Sequence, residues 1–215
     1  MNWILRACLL LLPLMAPRAA AAAQSTSPDR PNVLLLFADD QRADTVGAWG
    51  NPFIETPHVD SLVERGVSFR RAVCVPSRAM LHTGRDYHGL DLGDFGGATT
   101  LGQALRGAGY RTFATGKWHN GRGAFRRSFE RGKAVMFGGM SNHRAVPITD
   151  LGPDGFENDR TGDKHSSELF ADAAIEFLEQ QTADQPWFCY VAFTAPHDPR
   201  DPPRPFAERY YDARP

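Results

Sequence analysis

Residues 33–40 read Val-Leu-Leu-Leu-Phe-Ala-Asp-Asp, an apolar run followed by two carboxylates. Five consecutive apolar residues, without the alternation of a half-exposed strand, are typical of a strand buried on both faces of a sheet. Such strands occur mainly in parallel sheets that are covered by helices. The stretch therefore predicts an α/β fold, with Asp39 and Asp40 at the C-terminal end of its first strand.

Helical and strand-like segments alternate along the rest of the chain. Helices are predicted at residues 56–66, 100–108 and 166–181, and further strands at residues 67–73, 110–114 and 187–193. Thr56 as N-cap and Pro57 as first residue mark the start of the first helix. Residues 120–164 are rich in Gly and Arg, lack sustained periodicity, and are predicted to be a long surface excursion. The pattern predicts an α/β domain with a largely parallel central sheet flanked by helices.

The first 23 residues differ in composition from the rest. Arg6 precedes an apolar run at residues 7–15, and a run of alanines follows at residues 19–23. These are features of a secretory signal peptide that is cleaved between Ala23 and Gln24. The apolar run is too short to span a bilayer. We therefore expect a signal peptide at residues 1–23, a domain at residues 24–215, no stable membrane span, and a secreted or periplasmic protein.

The net charge of the chain limits the classes of partner that it can bind. It has 24 basic and 25 acidic residues, which gives a formal net charge of −1. Nucleic-acid binding depends on a concentrated excess of Lys and Arg, so we expect no nucleic-acid partner. An anionic ligand would have to be held by a local group of cationic side chains.

Polar residues follow each of three predicted strands. Asp39 and Asp40 follow the first strand, Lys117 and His119 follow the strand at 110–114, and His197 follows the strand at 187–193. The C-terminal ends of parallel strands line one crevice, which is where open α/β sheets bind their ligands. The sequence therefore predicts that these three segments converge on one site.

The most specific motif is residues 74–85, Cys-Val-Pro-Ser-Arg-Ala-Met-Leu-His-Thr-Gly-Arg. It opens a predicted helix near Pro76 and puts Cys74 and Arg78 four positions apart, on the same side of one helical turn. An isolated cysteine is usually a small buried hydrophobe. A phosphatase with a thiolate nucleophile would need its arginine six positions after the cysteine, where Met80 stands.

The motif resembles the signature of the type I sulfatases. Other blocks are similar to sulfatase blocks in order and spacing: Pro-Asn-Val at 31–33 with Asp-Asp at 39–40, Gly-Tyr-x-Thr-x-x-x-Gly-Lys-Trp-His at 109–119, and Ala-Pro-His-x-Pro at 195–199. The resemblance covers nearly all of residues 24–215. It implies an alkaline phosphatase/sulfatase-like fold.

The resemblance implies that Cys74 is a precursor of the nucleophile. In type I sulfatases a formylglycine-generating enzyme oxidises this cysteine to formylglycine, an aldehyde that carries two hydroxyls when hydrated. One hydroxyl attacks sulfur and expels the alcohol, and collapse of the other releases sulfate. The implied substrate is a sulfated small molecule or carbohydrate. Cys74 and Cys189 could otherwise form a disulfide, but an aldehyde at position 74 leaves Cys189 as a core residue.

The resemblance also implies a metal site. Asp39 and Asp40, with the group made from Cys74, would bind Ca²⁺, with Mg²⁺ as the alternative, because hard cations prefer oxygen ligands. Arg78 would hold the nucleophile and the metal region in place. The family completes the metal shell with a later Asp-Asn pair that this sequence does not supply.

Three further residues receive roles by resemblance. Lys117 would bind a sulfate oxygen, and His119 would contact the formylglycine hydroxyl and take its proton. His197 would contact sulfate and assist the leaving oxygen, together with a later lysine that is missing here. We therefore expect the 215 residues to be a truncated sulfatase domain with little turnover of its own.

Other polar residues have no assigned role. Ser141 and Asn142 lie where the family often has another site contact, but the alignment there is too loose to assign them. Five histidines are predicted to be surface or structural residues: His58, His82, His88, His143 and His165. Two alternatives to a sulfatase stay open, namely a phosphonate monoester or phosphodiester hydrolase of the same superfamily, and an inactive remnant.

Overall fold

The computed structural model describes residues 30–69, 77–86 and 88–211. The predicted signal peptide and Cys74 lie outside these residues. The described residues contain six strands: β1 (Val33–Phe37), β2 (Arg111–Lys117), β3 (Arg131–Met136), β4 (Pro147–Leu151), β5 (Phe156–Thr161) and β6 (Trp187–Ala192). The α-helices are α1 (Pro57–Arg65), α2 (Ser77–Thr83), α3 (Leu101–Gly107), α4 (Arg122–Ser128), α5 (Ser166–Glu179) and α6 (Arg204–Tyr210).

The strands form one mixed sheet in the order β1-β6-β2-β3-β4-β5. The pairs β1/β6, β6/β2 and β2/β3 are parallel, whereas β3/β4 and β4/β5 are antiparallel. The predicted α/β class, with a largely parallel central sheet flanked by helices, is confirmed. All three strands whose ends carry predicted site residues, β1, β6 and β2, lie in the parallel part.

Each face of the sheet carries its own hydrophobic core. On one face, α5 packs over β2, β3 and β6, with Phe170 and Ala173 against Phe113 and Val191. The other face holds an aromatic cluster that includes Trp118, Phe125, Phe129, Phe188 and Tyr190, alongside α3 and α4. No helix in the described part of the chain has the length and apolar character needed to cross a membrane.

Strand β1 forms one edge of the sheet, and the prediction that it is buried on both faces is wrong. Leu35 and Phe37 pack against the aromatic core, but Leu34 and Leu36 are 45% and 51% exposed. The reason is the position of α5, which lies over β2, β3 and β6. An edge strand with one uncovered face can carry the same apolar run as a central strand.

The predicted surface excursion at residues 120–164 is also wrong, because it contains α4, β3, β4 and β5. These elements are short, and β5 is mostly exposed, so their hydrophobic periodicity is weak. They are held by distant partners instead: Phe125 and Phe129 are fully buried against Trp118, whereas Ala134 and Ile148 belong to the core on the other face. No strand is present at residues 67–69 of the predicted strand at 67–73, and residues 70–73 lie outside the described ranges.

The predicted helices at 56–66, 100–108 and 166–181 are confirmed as α1, α3 and α5. Thr100 closes the start of α3 with a capping box, in which its hydroxyl accepts from the Gln103 backbone and Gln103 accepts from the Thr100 backbone. Helix α2 starts at Ser77, next to the predicted start at Pro76. Strand β2 runs to Lys117, beyond its predicted end at residue 114.

Gly116 sets the backbone conformation at the end of β2, next to Lys117. Its φ is +90°, and a Cβ at this position would lie 2.0 Å from the carbonyl oxygen of Ala192 on β6. Only glycine combines this backbone conformation with so close an approach. The register of β2 against β3 shifts between Ala114 and Gly116, immediately before Lys117.

Candidate active site

The ends of β1, β2 and β6 bring the predicted site residues to one edge of the sheet. Asp39 follows β1, Lys117 ends β2, and His197 follows β6, which lies between the other two strands. The backbone N–H of Asp39 donates to the carbonyl of Ala195 at 3.1 Å and ties the exits of β1 and β6 together. The predicted convergence of the three segments is therefore observed.

A buried group of three charges lies at the centre of this edge. Arg78 Nη2 donates to Asp39 Oδ1 at 3.1 Å, and Lys117 Nζ donates to Asp39 Oδ2. The side chains of Asp39, Arg78 and Lys117 are only 12%, 7% and 3% exposed. Buried charges need partners of the opposite sign, and here one carboxylate serves two cations.

Arg78 is fixed by more than its ion pair. Its Nη1 donates to the carbonyl of Lys117 at 2.8 Å and to the hydroxyl of Tyr190 at 3.0 Å. Its guanidinium lies 5.0 Å from the ring centroid of Phe37. Tyr190 is a site residue that the sequence prediction missed, although a hydroxyl in an otherwise apolar strand was a signal for it. Burial raises the pKa of Tyr190 to about 12, so the hydroxyl stays neutral.

Asp40 and His197 form a second, more exposed pair. Asp40 Oδ2 lies 3.5 Å from His197 Nε2, and the Asp40 side chain is 71% exposed. The other ring nitrogen, Nδ1, lies 2.7 Å from the carbonyl oxygen of Asp198. A carbonyl oxygen only accepts hydrogen bonds, so Nδ1 carries a hydrogen, and Nε2 is the ring nitrogen that faces Asp40.

His119 is suited to accept a proton. Burial lowers its pKa below the ordinary value of 6.5, and the charges of Lys117 and Arg78 lower it further. The neutral imidazole is therefore favoured at neutral pH. His119 has a φ of +70° and Asp40 a φ of +60°, a left-handed conformation that is uncommon for residues other than glycine, although Asn, Asp and His adopt it more often than most.

The donor chemistry for a divalent cation is present only in part. Asp39 and Asp40 supply carboxylates, but both oxygens of Asp39 are engaged by Arg78 and Lys117. Among residues 30–69, 77–86 and 88–211, no group of three or more His, Cys, Asp or Glu side chains could hold a metal ion. The described residues thus provide at most one side of the predicted metal shell.

The remaining histidines separate into two groups. His58 and His88 are exposed, whereas His82, His143 and His165 are buried. His82 packs against the rings of Trp118 and Tyr190, with centroid distances of 4.5 and 4.8 Å. Asn142 accepts from the backbone of Arg144 through Oδ1 at 2.8 Å, which is a local turn contact.

Comparison with known proteins identifies a family. Residues 31–215 match the family model described as Sulfatase. An arylsulfatase of Klebsiella aerogenes is 29% identical over 224 residues, which cover 89% of this chain and 48% of that protein. The chain spans about half the length of the curated relatives it matches.

Solved structures share the fold. A protein solved with its substrate D-glucosamine-2-N,6-O-disulfate has a TM-score of 0.69 and 24% identity, covering 85% of this chain and 38% of that one. A phosphonate monoester hydrolase of Agrobacterium radiobacter has a lower TM-score of 0.60 and 23% identity, covering 84% of this chain and 44% of that one. These likenesses support the sulfatase-like fold that the sequence predicted.

Proposed function

Because the chain belongs to the sulfatase family, we propose that it carries catalytic groups of a sulfuric ester hydrolase that cleaves R–O–SO₃⁻ to an alcohol and sulfate. The observation that carries this proposal is the cluster at the sheet edge, where Asp39, Arg78 and Lys117 are buried together beside His119 and the Asp40–His197 pair. Two cations, a neutral base and a second imidazole suit a tetrahedral anion that must lose an alkoxide.

We propose that residue 74 is the nucleophile. A formylglycine made from Cys74 by a formylglycine-generating enzyme would supply two hydroxyls, one for attack on sulfur and one for release of sulfate. Lys117 would bind a sulfate oxygen, which its position at the end of β2 supports. Neutral His119 would take the proton of the second hydroxyl, and His197 would donate a proton from Nε2 to the leaving oxygen.

Arg78 has a positioning role in this scheme. Arg78 donates to Asp39 and to the Lys117 carbonyl. These two hydrogen bonds join the start of α2 to the ends of β1 and β2. Residue 74 precedes Arg78 by four positions, so the same side chain would set the distance between the nucleophile and Lys117. Such preorganised charges are effective because they need no rearrangement when the transition state forms.

A divalent cation would complete the charge balance. The charges of Asp39 and Asp40 cancel those of Arg78 and Lys117, so the described site has no net positive charge to offer a sulfate. Ca²⁺, with Mg²⁺ as the alternative, would add that charge, held on one side by Asp39 and Asp40. Its other ligands would have to come from residue 74 and from groups beyond the described residues.

The substrate class is a sulfated small molecule or carbohydrate. The name of the arylsulfatase relative favours an aryl ester, and the sugar disulfate bound to the similar structure favours a carbohydrate. A phosphonate monoester is the second candidate, favoured by the likeness to the Agrobacterium enzyme. The signal peptide predicted at residues 1–23 supports export to the periplasm or the medium.

The test compares esters on the whole polypeptide that the gene encodes, co-expressed with a formylglycine-generating enzyme. We expect 4-nitrophenyl sulfate to be hydrolysed faster than 4-nitrophenyl phosphonate monoesters, and the Cys74→Ala variant to lose both activities. Lys117→Ala should reduce kcat/KM for the sulfate by about 100-fold or more, the usual loss of one transition-state donor. Faster cleavage of the phosphonate would favour the second candidate, and hydrolysis of neither ester would refute the proposal.

A further inference from the structure

A buried polar cluster lies beside the site and is not used by the proposed mechanism. It joins His143, between β3 and β4, to Ser166 at the start of α5 and Thr194 after β6. His143 Nδ1 lies 2.9 Å from Ser166 Oγ and 3.0 Å from Thr194 Oγ1, and the two hydroxyl oxygens are 2.8 Å apart. The three residues are 3%, 0% and 5% exposed. Buried hydrogen bonds of this kind fix the relative positions of the segments that share them.

The second ring nitrogen of His143 reaches the residue that carries the site imidazole. His143 Nε2 lies 3.0 Å from the carbonyl oxygen of His197. That oxygen can only accept, so Nε2 carries a hydrogen and donates it to the carbonyl. The hydroxyls of Ser166 and Thr194 can each donate or accept, so the contact with the His197 carbonyl fixes which ring nitrogen of His143 donates to it.

His165 makes a similar contact with the backbone of Asp201, four residues after His197. Its ring stacks on His143 with a centroid distance of 5.4 Å and an interplanar angle of 14°. His165 Nε2 lies 3.2 Å from the carbonyl oxygen of Asp201. Its Nδ1 accepts from the backbone of Ser167 at 3.3 Å, which requires a neutral ring. We call His143 and His165 the histidine clasp.

The segment that the clasp holds has other contacts at its two ends: the backbone N–H of His197 donates to the Thr194 carbonyl at 3.1 Å, and Arg144 Nε donates to Asp201 Oδ2 at 2.6 Å. Asp198 and Arg200 are exposed, with side chains 68% and 79% accessible. A cavity of about 560 Å³ adjoins the segment, lined by both clasp histidines and by Pro196, Pro203 and Phe206 among others. Because packing is open on this side, hydrogen bonds set where the backbone of residues 197–201 lies, and the clasp supplies the two that reach the carbonyls of His197 and Asp201.

We propose that the histidine clasp positions His197 for its role at the leaving oxygen, with His143 as the principal positioning residue. This inference rests on the proposed function, in which His197 Nε2 donates a proton to that oxygen. His143 contacts the backbone of His197. In this proposal the His143 ring itself does not contact the reacting atoms. A misplacement of about 1 Å in such a group can cost about 100-fold in rate.

The kinetic test uses two sulfate esters that differ in their need for a proton. Nitrophenolate leaves without protonation, whereas an alkyl alkoxide needs an acid. His143→Ala should lower kcat for an alkyl sulfate by about 10- to 100-fold, leave its KM within about twofold, and change kcat for 4-nitrophenyl sulfate by less than about threefold. His143→Gln, whose amide N–H can donate to the same carbonyl, should restore most of the loss. His58→Ala, at an exposed position on α1, is the control and should change neither rate.

Equal losses on both esters, no loss on either, or failure of His143→Gln to restore the rate would overturn the inference. A wild-type protein inactive on all sulfate esters would refute the proposed function, so a second measurement tests the clasp without activity. In the 215-residue chain, the NMR resonance of the His197 ring Cε1–H should shift in His143→Ala and stay in place in His58→Ala. An unchanged His197 resonance in His143→Ala would overturn the clasp whatever the activity.

Discussion

Lys117 donates from Nζ to Asp39 Oδ2 across the top of β6, joining two strands that are not neighbours in the sheet. Both side chains are almost fully buried, and Arg78 binds the other oxygen of the same carboxylate. The pair therefore contributes to the shape of the site as well as to its charge. Loss of Asp39 would leave two cations without their carboxylate partner.

Asp39→Asn should destabilise the fold strongly. Removal of one partner from a buried ion pair leaves an uncompensated charge and costs about 3–5 kcal/mol. Urea unfolding of the 215-residue chain measures this as a fall in the free energy of unfolding. Asp172→Asn, which breaks the exposed Lys164–Asp172 pair, is the control and should have little effect. Similar free energies of unfolding for Asp39→Asn and Asp172→Asn would show that the buried ion pairs of Asp39 do not stabilise the fold.

Gly116→Ala should prevent β2 from approaching β6. The added Cβ would lie 2.0 Å from the Ala192 oxygen, at a φ of +90°. We expect a loss of more than about 3 kcal/mol in the free energy of unfolding, or failure to fold, because both the clash and the conformation oppose the change. Gly107→Ala at the end of α3 has no atom within 4 Å of the new Cβ and should stabilise by about 0.5–1 kcal/mol. A Gly116→Ala variant as stable as wild type would contradict the observed strand contact.

His82→Leu should stabilise the protein, most clearly in acid. Both ring nitrogens of His82 are buried without a hydrogen-bond partner among the described residues, and burial lowers its pKa to about 3. Between pH 6.5 and 3 the unfolded chain binds a proton that the folded chain excludes. Native His82 therefore costs stability as the pH falls through this window, by up to about 1.4 kcal/mol per pH unit.

Urea titrations at pH 7 and pH 5 compare the two proteins. At pH 7, Leu removes two buried nitrogens that have no hydrogen-bond partner in the described part of the chain, and it should add about 1 kcal/mol to the free energy of unfolding. At pH 5 the advantage of the variant should be larger. The same difference at both pH values would show that His82 is not held neutral by its surroundings.

The lowered pKa of His119 should appear in both titration and rate. Burial and the charges of Lys117 and Arg78 favour its neutral form, so its NMR titration should have a midpoint below 6.5. Lys117→Met removes one of these charges and should move that midpoint upward. Where release of sulfate limits turnover, the acid-side fall of kcat should likewise lie below pH 6.5, because His119 acts after the alcohol has left. A midpoint above 6.5 in the wild-type chain would contradict the environment described for this ring.

Features set by neighbouring residues could be predicted from the sequence. The apolar runs of β1 and β6 and the Thr56-Pro57 start of α1 are all local, and each element is found close to its predicted place. The convergence of Asp39, Lys117 and His197 followed from one rule about the ends of parallel strands. Their family roles, and that of Cys74, stay predictions.

Features that depend on distant partners were not predictable in this way. Strands β3 to β5 are short and divide their contacts between two cores, with Val135, Leu151 and Phe156 in the aromatic cluster and Ala134 and Ile148 in the core that contains Phe170, so no periodicity marks them. The exposure of Leu34 and Leu36 depends on where α5 lies, and not on β1 itself. The histidine clasp joins His143 to residues 51 and 54 positions away, and a single sequence gives no sign of such a contact.

The central claim is that an aldehyde at residue 74 carries sulfate ester hydrolysis at this site. Preparations of the whole polypeptide with graded conversion of Cys74, quantified by mass spectrometry of the peptide that spans it, can be assayed on 4-nitrophenyl sulfate. We predict a rate that rises in proportion to the aldehyde fraction and extrapolates to zero without it. A rate that is independent of that fraction, or that persists in Cys74→Ala, would contradict the account.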